Sequence, residues 1–158
     1  MISLIIAVYK NVKALDLILQ SLAQQTYSNF EVIIAEDGED DSMKACFEHS
    51  MHTYRFPIRH VKHEDRGFRK IIIGNEAVRF ARGEYVVFID GDCVLHHRFI
   101  EEYHKAMKPG GFYFGRRVLL GPKTTSNLYT KATLSIPSVL SLLFSDSTQV
   151  REALYLPF

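Results

Sequence analysis

Tyr85-Val86-Val87-Phe88-Ile89-Asp90-Gly91-Asp92 is the stretch on which the fold turns. Its first five residues are β-branched or aromatic and carry no charge, the pattern of a short strand buried on both faces. The strand then ends in two carboxylates around a glycine. Hard divalent cations take oxygen ligands, and Mg²⁺ is commonly held by one or two carboxylates together with substrate phosphates. Asp-Gly is equally a turn signal, so the triplet needs company before it means a site.

Company comes from upstream. Phe30 to Ala35 is a second apolar run, and it too ends in acid, at Glu36-Asp37-Gly38. Between the two acidic ends lie Arg66, Arg69 and Lys70. Carboxylates suited to a cation and basic groups suited to phosphate together suggest a nucleoside-diphosphate site.

The rest of the chain fills in around these strands. Ile2 to Val8 reads as a first buried strand. Asn11 is placed to cap a helix whose Leu15, Ile18, Leu19 and Leu22 keep the spacing of one helical face. Asp40 to about His49 reads as a short helix with acid at its favourable end. Phe56 to Lys62 alternates, and Pro57 puts it near a sheet edge; His60 and His63 read as surface residues. Arg69 to Arg82 reads as a helix stopped by Gly83. Ile72, Glu76 and Arg79 share one of its sides; Ile71, Asn75, Val78 and Arg82 share another. Downstream, His97 to Met107 reads as a helix and Phe112 to Leu120 as a strand. Leu134 to Phe144 carries no charge and reads either as a helix packed on the sheet or as an element facing lipid or a partner.

Strand and helix alternate through residue 108, which predicts an α/β domain with a mostly parallel central sheet flanked by helices. Ligands of such sheets bind outside the carboxyl ends of the strands. Both acidic clusters fall there, so topology can join residues far apart in sequence.

Composition bounds the rest. The 158 residues are 47% hydrophobic and 23% charged, an ordinary globular balance, and suit one domain. A net charge of +1 gives no global field for recruiting nucleic acid or anionic lipid. Cys46 and Cys93 lie far apart in no metal-type spacing, which suggests a reducing compartment with both as small core residues. The apolar start reads as a strand and not as a signal peptide. No run reaches the ~18 apolar residues of a membrane span.

With these residues in view, the chain resembles the N-terminal part of a family-2 glycosyltransferase of the GT-A fold, a Rossmann-like nucleotide-diphospho-sugar transferase. Ser3 to Asn11 resembles the family's opening strand and its proline-threonine-tyrosine-asparagine turn. Leu17 to Ile34 resembles its second block, with Gln25-Thr26-Tyr27 a close match. Glu36-Asp37-Gly38 stands for the family's Asp-Asp-Gly-Ser. Arg66 to Lys70, Asn75 and Ala81 to Tyr85 resemble the central block, and Asp90-Gly91-Asp92 its DXD-type motif. The likeness runs from residue 1 to about 105. Ala7 and Val8 replace the opening Pro and Thr, Glu39 replaces the Ser, and Gly74-Asn75 replaces an Arg-Asn pair. No acidic segment of the kind that supplies the family's catalytic base is recognisable up to Phe158.

The resemblance implies a Mn²⁺ or Mg²⁺ ion on Asp92, with Asp90 and Gly91 at the ribose or a metal-bound water. It implies Asp37 on the nucleotide base, usually uracil, with Glu36 in support. Backbone around Ala7 and the Tyr9 ring would flank that base, and Arg66, Arg69, Lys70 and Asn75 would approach the nucleotide. His96 or His97 is an alternative ligand, and Asp146 and Glu152 are the only downstream carboxylates that could act as base. The expected activity is inverting transfer from a nucleotide-diphosphate sugar, in particular a UDP-sugar, to a polysaccharide or glycolipid acceptor. The alternative is a nucleotide-sugar-binding module that lacks its own acceptor half. We expect one domain over 1–158, with 1–120 as nucleotide-sugar-binding core and 121–158 as a shortened acceptor-side or packing segment. The expected location is cytoplasmic; contact with the inner membrane face and homo-oligomerisation stay open.

Overall fold

The computed structural model describes residues 1–131 and 133–153. It divides into two compact units, Met1–Met107 and Lys108–Phe158. The first runs β1 (Ile2–Val8), α1 (Val12–Ala23), β2 (Phe30–Glu36), α2 (Asp41–Thr53), β3 (Ile58–Lys62), α3 (Lys70–Val78), β4 (Tyr85–Asp90) and α4 (Phe99–Ala106). Its four strands form an all-parallel sheet in the order β3-β2-β1-β4. The expected α/β architecture with a parallel sheet is what the chain adopts.

Two-sided burial explains the contiguous apolar runs. In β1 and β2, alternate residues point to opposite faces. Leu4, Ile6, Val8, Val32 and Ile34 pack with α1 and Ile100 of α4, while Ile5, Ile33 and Ala35 pack with Ile73 and Ala77 of α3. On α1, Leu15, Ile18, Leu19 and Leu22 are all buried, each contributing about 1.5–3 kcal/mol. Asn11 caps α1 by accepting from Ala14 N–H at 3.1 Å. Asp40 caps α2 through Ser42 and Met43 N–H. β3 is an edge strand, as Pro57 suggests.

Three expected element bounds fail, and the sequence pattern left the buried face of α3 open. On α3 the buried residues are Ile73, Gly74 and Ala77, while Ile71 and Ile72 are exposed. Three consecutive isoleucines are apolar on every side, so periodicity could not choose the face. Gly74 and Ala77 could be chosen, because small residues let the helix lie close to the sheet. Gly83 does not stop α3, which ends at Val78. It sits instead against β1, where a Cβ would lie 2.6 Å from Ser3 N.

The other two failures fall in the second unit, which holds α5 (Pro122–Thr130), α6 (Val139–Leu143) and a 3₁₀ turn at Val150–Ala153. Phe112 to Leu120 forms no strand; it contributes only an isolated antiparallel bridge, Leu119 to Thr148. Aromatic and aliphatic residues make a strand only where a neighbour offers a ladder of hydrogen bonds, and Phe112 and Phe114 are exposed. Leu134 to Phe144 is helical only over α6, which begins after Pro137 with Ser138 accepting from Ser141 N–H. No helix among the described residues is long and apolar enough to cross a membrane.

Candidate nucleotide-sugar site

Parallel pairing brings the ends of four strands to one rim. Val8 lies opposite Glu36, Glu36 opposite Lys62, and Ala7 opposite Asp90. Past that rim, Asp37 N–H donates to Val8 O at 2.9 Å, extending the β1–β2 ladder by one bond. Gly91 passes so close to β1 that a Cβ would lie 2.6 Å from Ala7 O.

Asp37 is the hub. Its Oδ2 accepts from Arg69 N–H at 2.7 Å, and its Oδ1 lies 2.7 Å from His63 Nε2. The Asp37 side chain is 8% exposed, so both oxygens need these donors. Arg69 is the residue before α3, and Lys70, first in that helix, forms an ion pair with Asp90 Oδ1. One chain of contacts thus runs from Asp37 through Arg69 and Lys70 to Asp90. Asp90, Asp92 and Cys93 then bring one ligand atom each within 4.8 Å of one another. Two carboxylates are a suitable donor set for a hard divalent ion, with the thiol a softer third.

Glu36, the last residue of β2, precedes Asp37. It is almost wholly buried, accepts from Asp40 N–H at 2.9 Å, and lies 2.7 Å from His60 Nε2. His60 and His63 are therefore not surface residues: their side chains are 8% and 12% exposed. Burial pushes the His60 imidazole below its ordinary value and outweighs the pull of Glu36. A neutral ring donating Nε2–H to the carboxylate satisfies both groups.

Other candidates are placed less centrally. The Tyr9 hydroxyl lies 3.2 Å from Asp65 Oδ2, which also takes Lys10 Nζ at 2.9 Å, and the Tyr9 ring flanks Gly38. The Asp65 contact raises the Lys10 ammonium, and Lys10 together with Gly67 N–H lowers the Asp65 carboxyl. The Arg69 guanidinium reaches the Glu64 carbonyl, yet its buried Nε has no hydrogen-bond partner among the described residues. Arg66 pairs with Glu64 at 2.6 Å and is exposed, as is Asn75. His96 accepts from Arg98 N–H at 3.3 Å and its ring lies tilted against that of His97, with centroids 4.1 Å apart; neither is part of the Asp90–Asp92–Cys93 group.

In the second unit, both downstream carboxylates are already engaged. Asp146 accepts from Lys123 N–H, Thr124 N–H and the Thr124 hydroxyl at the start of α5; the hydroxyl first and then the amides hold its carboxyl below the usual range. Glu152 is held by Arg116 and Arg151.

Residues 3–151 match the family model described as Glycosyl transferase family 2. The chain belongs to that family. Among similar members, glycosyltransferase GlyG of Streptococcus pneumoniae is 26% identical over 109 residues, covering 68% of this chain and 35% of GlyG. Among solved structures, S. aureus TarS 1-349 in complex with UDP superposes with a TM-score of 0.55 at 24% identity, over 66% of this chain and 31% of that one. The mannosyltransferase PcManGT of Pyrobaculum calidifontis, in complex with GDP-Man and Mn²⁺, gives 0.52 at 24% identity, over 58% and 27%. These structural likenesses establish the fold. The chain spans about a third or less of the length of each of these proteins.

The family reading missed His60, His63 and Asp65, the partners of Glu36, Asp37 and Lys10. No motif marks them. The one usable signal was that a strand paired parallel to β2 carries its own end to the same rim.

Proposed function

We propose that this family-2 glycosyltransferase chain binds a nucleoside-diphosphate sugar at the rim of its sheet and takes part in transferring the sugar to a glycan or glycolipid acceptor. The observation carrying this reading is the chain of contacts from Asp37 through Arg69 and Lys70 to Asp90, ending at a pair of carboxylates. In it, Asp37 accepts from the N–H edge of the base, and Tyr9 and the Ala7 backbone flank that base. Arg69 and Lys70 stand at the amino end of α3, where the helix dipole adds to their charge in favouring phosphate. Asp90 faces the ribose or a metal-bound water. Asp92, with Asp90 and Cys93 beside it, would hold Mn²⁺ or Mg²⁺. Such an ion acts as a Lewis acid, stabilising the charge that develops on a departing diphosphate. Arg66 and Asn75, left at the surface, are assigned no contact. UDP is the proposed nucleotide, and inversion by single displacement the proposed stereochemistry. Residues 1–120 form the proposed donor-binding core and 121–158 the proposed acceptor-side segment.

A second reading rests on a separate observation. Asp146 and Glu152 are occupied by helix amides and guanidinium groups, so neither is poised to take a proton from an acceptor hydroxyl. On that reading the chain binds the donor and needs another segment or subunit for transfer.

Calorimetric titration with UDP, with and without Mn²⁺, tests the shared donor site. Tighter binding with the ion, lost in Asp92→Ala, is the expected result; metal-independent binding in both proteins would overturn it. Sugar transfer to supplied acceptors then separates enzyme from module.

A further inference from the structure

The Gln25-Thr26-Tyr27 block resembles a family motif, yet it touches none of the residues placed at the donor site. Its contacts run mainly to α4 and the turn before it, and Gln25 Nε2 also donates to Ser21 O of α1 at 3.2 Å. Gln25 Nε2 donates to His96 O at 2.8 Å, and Gln25 Oε1 accepts from Ile100 N–H at 2.9 Å. Thr26 N–H donates to His97 O at 2.9 Å, and the Thr26 hydroxyl donates to Glu101 at 2.7 Å. The Tyr27 ring stacks on His104, with centroids 4.3 Å apart. Just before this block, Ser21 Oγ accepts from Leu95 N–H at 3.2 Å.

These contacts serve a helix that lacks its own cap. Arg98, at the N-cap position of α4, makes no side-chain cap hydrogen bond. The free N–H groups of a helix's first turn need acceptors, and Gln25 supplies one from 75 residues away. Its amide does two jobs at once, because the NH₂ group also grips the carbonyl of His96, inside the turn leading into the helix.

The segment so held begins at Leu95, three positions after Asp92. On its other side the acidic triplet is held by the pairing of Asp90 with Ala7 of β1. Residues 91–94, closed internally where Cys93 N–H donates to Asp90 O at 3.2 Å, therefore join two ends that different elements fix. We infer that Gln25, with Thr26, is a positioning group for the acidic loop: it sets the downstream anchor that holds Asp92 and Cys93 in register with Asp90. This inference rests on the proposed donor site and identifies what keeps its cation ligands in place.

The test uses the full chain, with UDP and Mn²⁺ as probes. Gln25→Ala should weaken the Mn²⁺-dependent part of UDP binding about tenfold, the lower end of what loss of an outer-shell partner costs a metal site. Metal-free UDP binding should stay at the wild-type level. The electron paramagnetic resonance lines of protein-bound Mn²⁺ should also broaden. Ser50→Ala is the control: it removes a buried hydroxyl that donates to Cys46 O within α2 and should lower the melting temperature without altering either binding value. If Gln25→Ala does not fold, Gln25→Glu serves. It keeps an acceptor for Ile100 N–H, loses the donor to His96 O, and should show the same selective loss to a smaller degree. A wild-type metal-dependent component in the Gln25 variants overturns the inference, as does an equal loss in Ser50→Ala. A wild-type protein that shows no metal-dependent UDP binding overturns the proposed donor site itself, and this inference with it.

Discussion

Replacing Gly91 by alanine asks directly whether the acidic triplet is held by its close approach to β1. A Cβ at position 91 would lie 2.6 Å from Ala7 O, 3.0 Å from Val8 Cγ1 and 3.1 Å from Val8 Cα. Two of those three atoms are backbone, and Ala7 is paired on both sides, with Ala35 and with Asp90. The strand cannot retreat, so the turn must. Forcing a methyl into such a contact costs about 1–3 kcal/mol, which for a chain of this size lowers the melting temperature by about 2–12 °C. The turn that moves carries Asp90 and Asp92, so Mn²⁺-dependent UDP binding should fall as well. Gly83→Ala provides the matched perturbation. Its Cβ would meet Ser3 N at 2.6 Å and Met1 O at 2.8 Å, an equal clash against the opposite end of the same strand. Thermal unfolding followed by circular dichroism, with UDP titration on each variant, separates the two. Both variants should lose stability, and Gly91→Ala alone should lose metal-dependent binding. A Gly91→Ala protein with wild-type melting, or equal binding losses in the two variants, would refute the reasoning.

Three further outcomes are expected. Asp37→Asn replaces one of two acceptors with an amide donor. One of Arg69 N–H and His63 Nε2 then faces the wrong partner, at a cost of about 1–3 kcal/mol in urea unfolding and a marked loss of UDP affinity. A shift of His63 to its other tautomer would bring the cost to the lower end, and an unchanged urea midpoint would count against Asp37 as the hub. Stability should also depend on His60. Burial holds its folded-state value below 6.5, so the unfolded chain binds more protons once the pH drops under that value. The contribution is complete above 6.5, is lost as the pH falls, and levels off below the folded value. Urea midpoints measured from neutral pH down should show this slope, and His60→Gln should flatten it. Finally, Asp146→Ala should lower the melting temperature by uncapping α5 while leaving UDP binding and any measured transfer intact. Loss of transfer with UDP binding retained would make Asp146 the missing base.

The parts of the fold legible in the sequence were those where burial repeats along the chain. β1 and β2 stand out because strands covered on both faces are apolar at almost every position; β4 carries the same kind of run, yet it is an edge strand in which only Val87 is buried and Phe88 is exposed, so the expected two-sided burial fails there. α1 stands out because one stripe of leucine and isoleucine faces the sheet. Signals of one residue were safe only where the chemistry had a single reading, as with Asn11 and Asp40 at helix starts. Gly83 had two readings, helix stop and close approach, and the sequence favoured the wrong one. Phe112 to Leu120 was misread because apolar and aromatic content does not report whether a partner strand exists.

The candidate site divides along the same line. Asp37, Asp90 and Asp92 could be picked out because acids at the ends of apolar runs break the local pattern, and Arg69 and Lys70 because they form a basic cluster between those ends. Their assembly could not be read from spacing: Asp37 and Arg69 are 32 positions apart, and only parallel pairing carries both to one rim. The supporting groups were hidden for the same reason. His60 and His63 became buried partners of acids because β3 pairs with β2, and Gln25 caps α4 from 75 positions away. Composition and periodicity thus picked out the strands and helices of residues 1–107, though not all of their bounds, and the charged residues beside them. Tertiary structure alone decided which of those charges meet, because hydrogen bonds and ion pairs depend on distance in space, and the sheet's connectivity sets that distance.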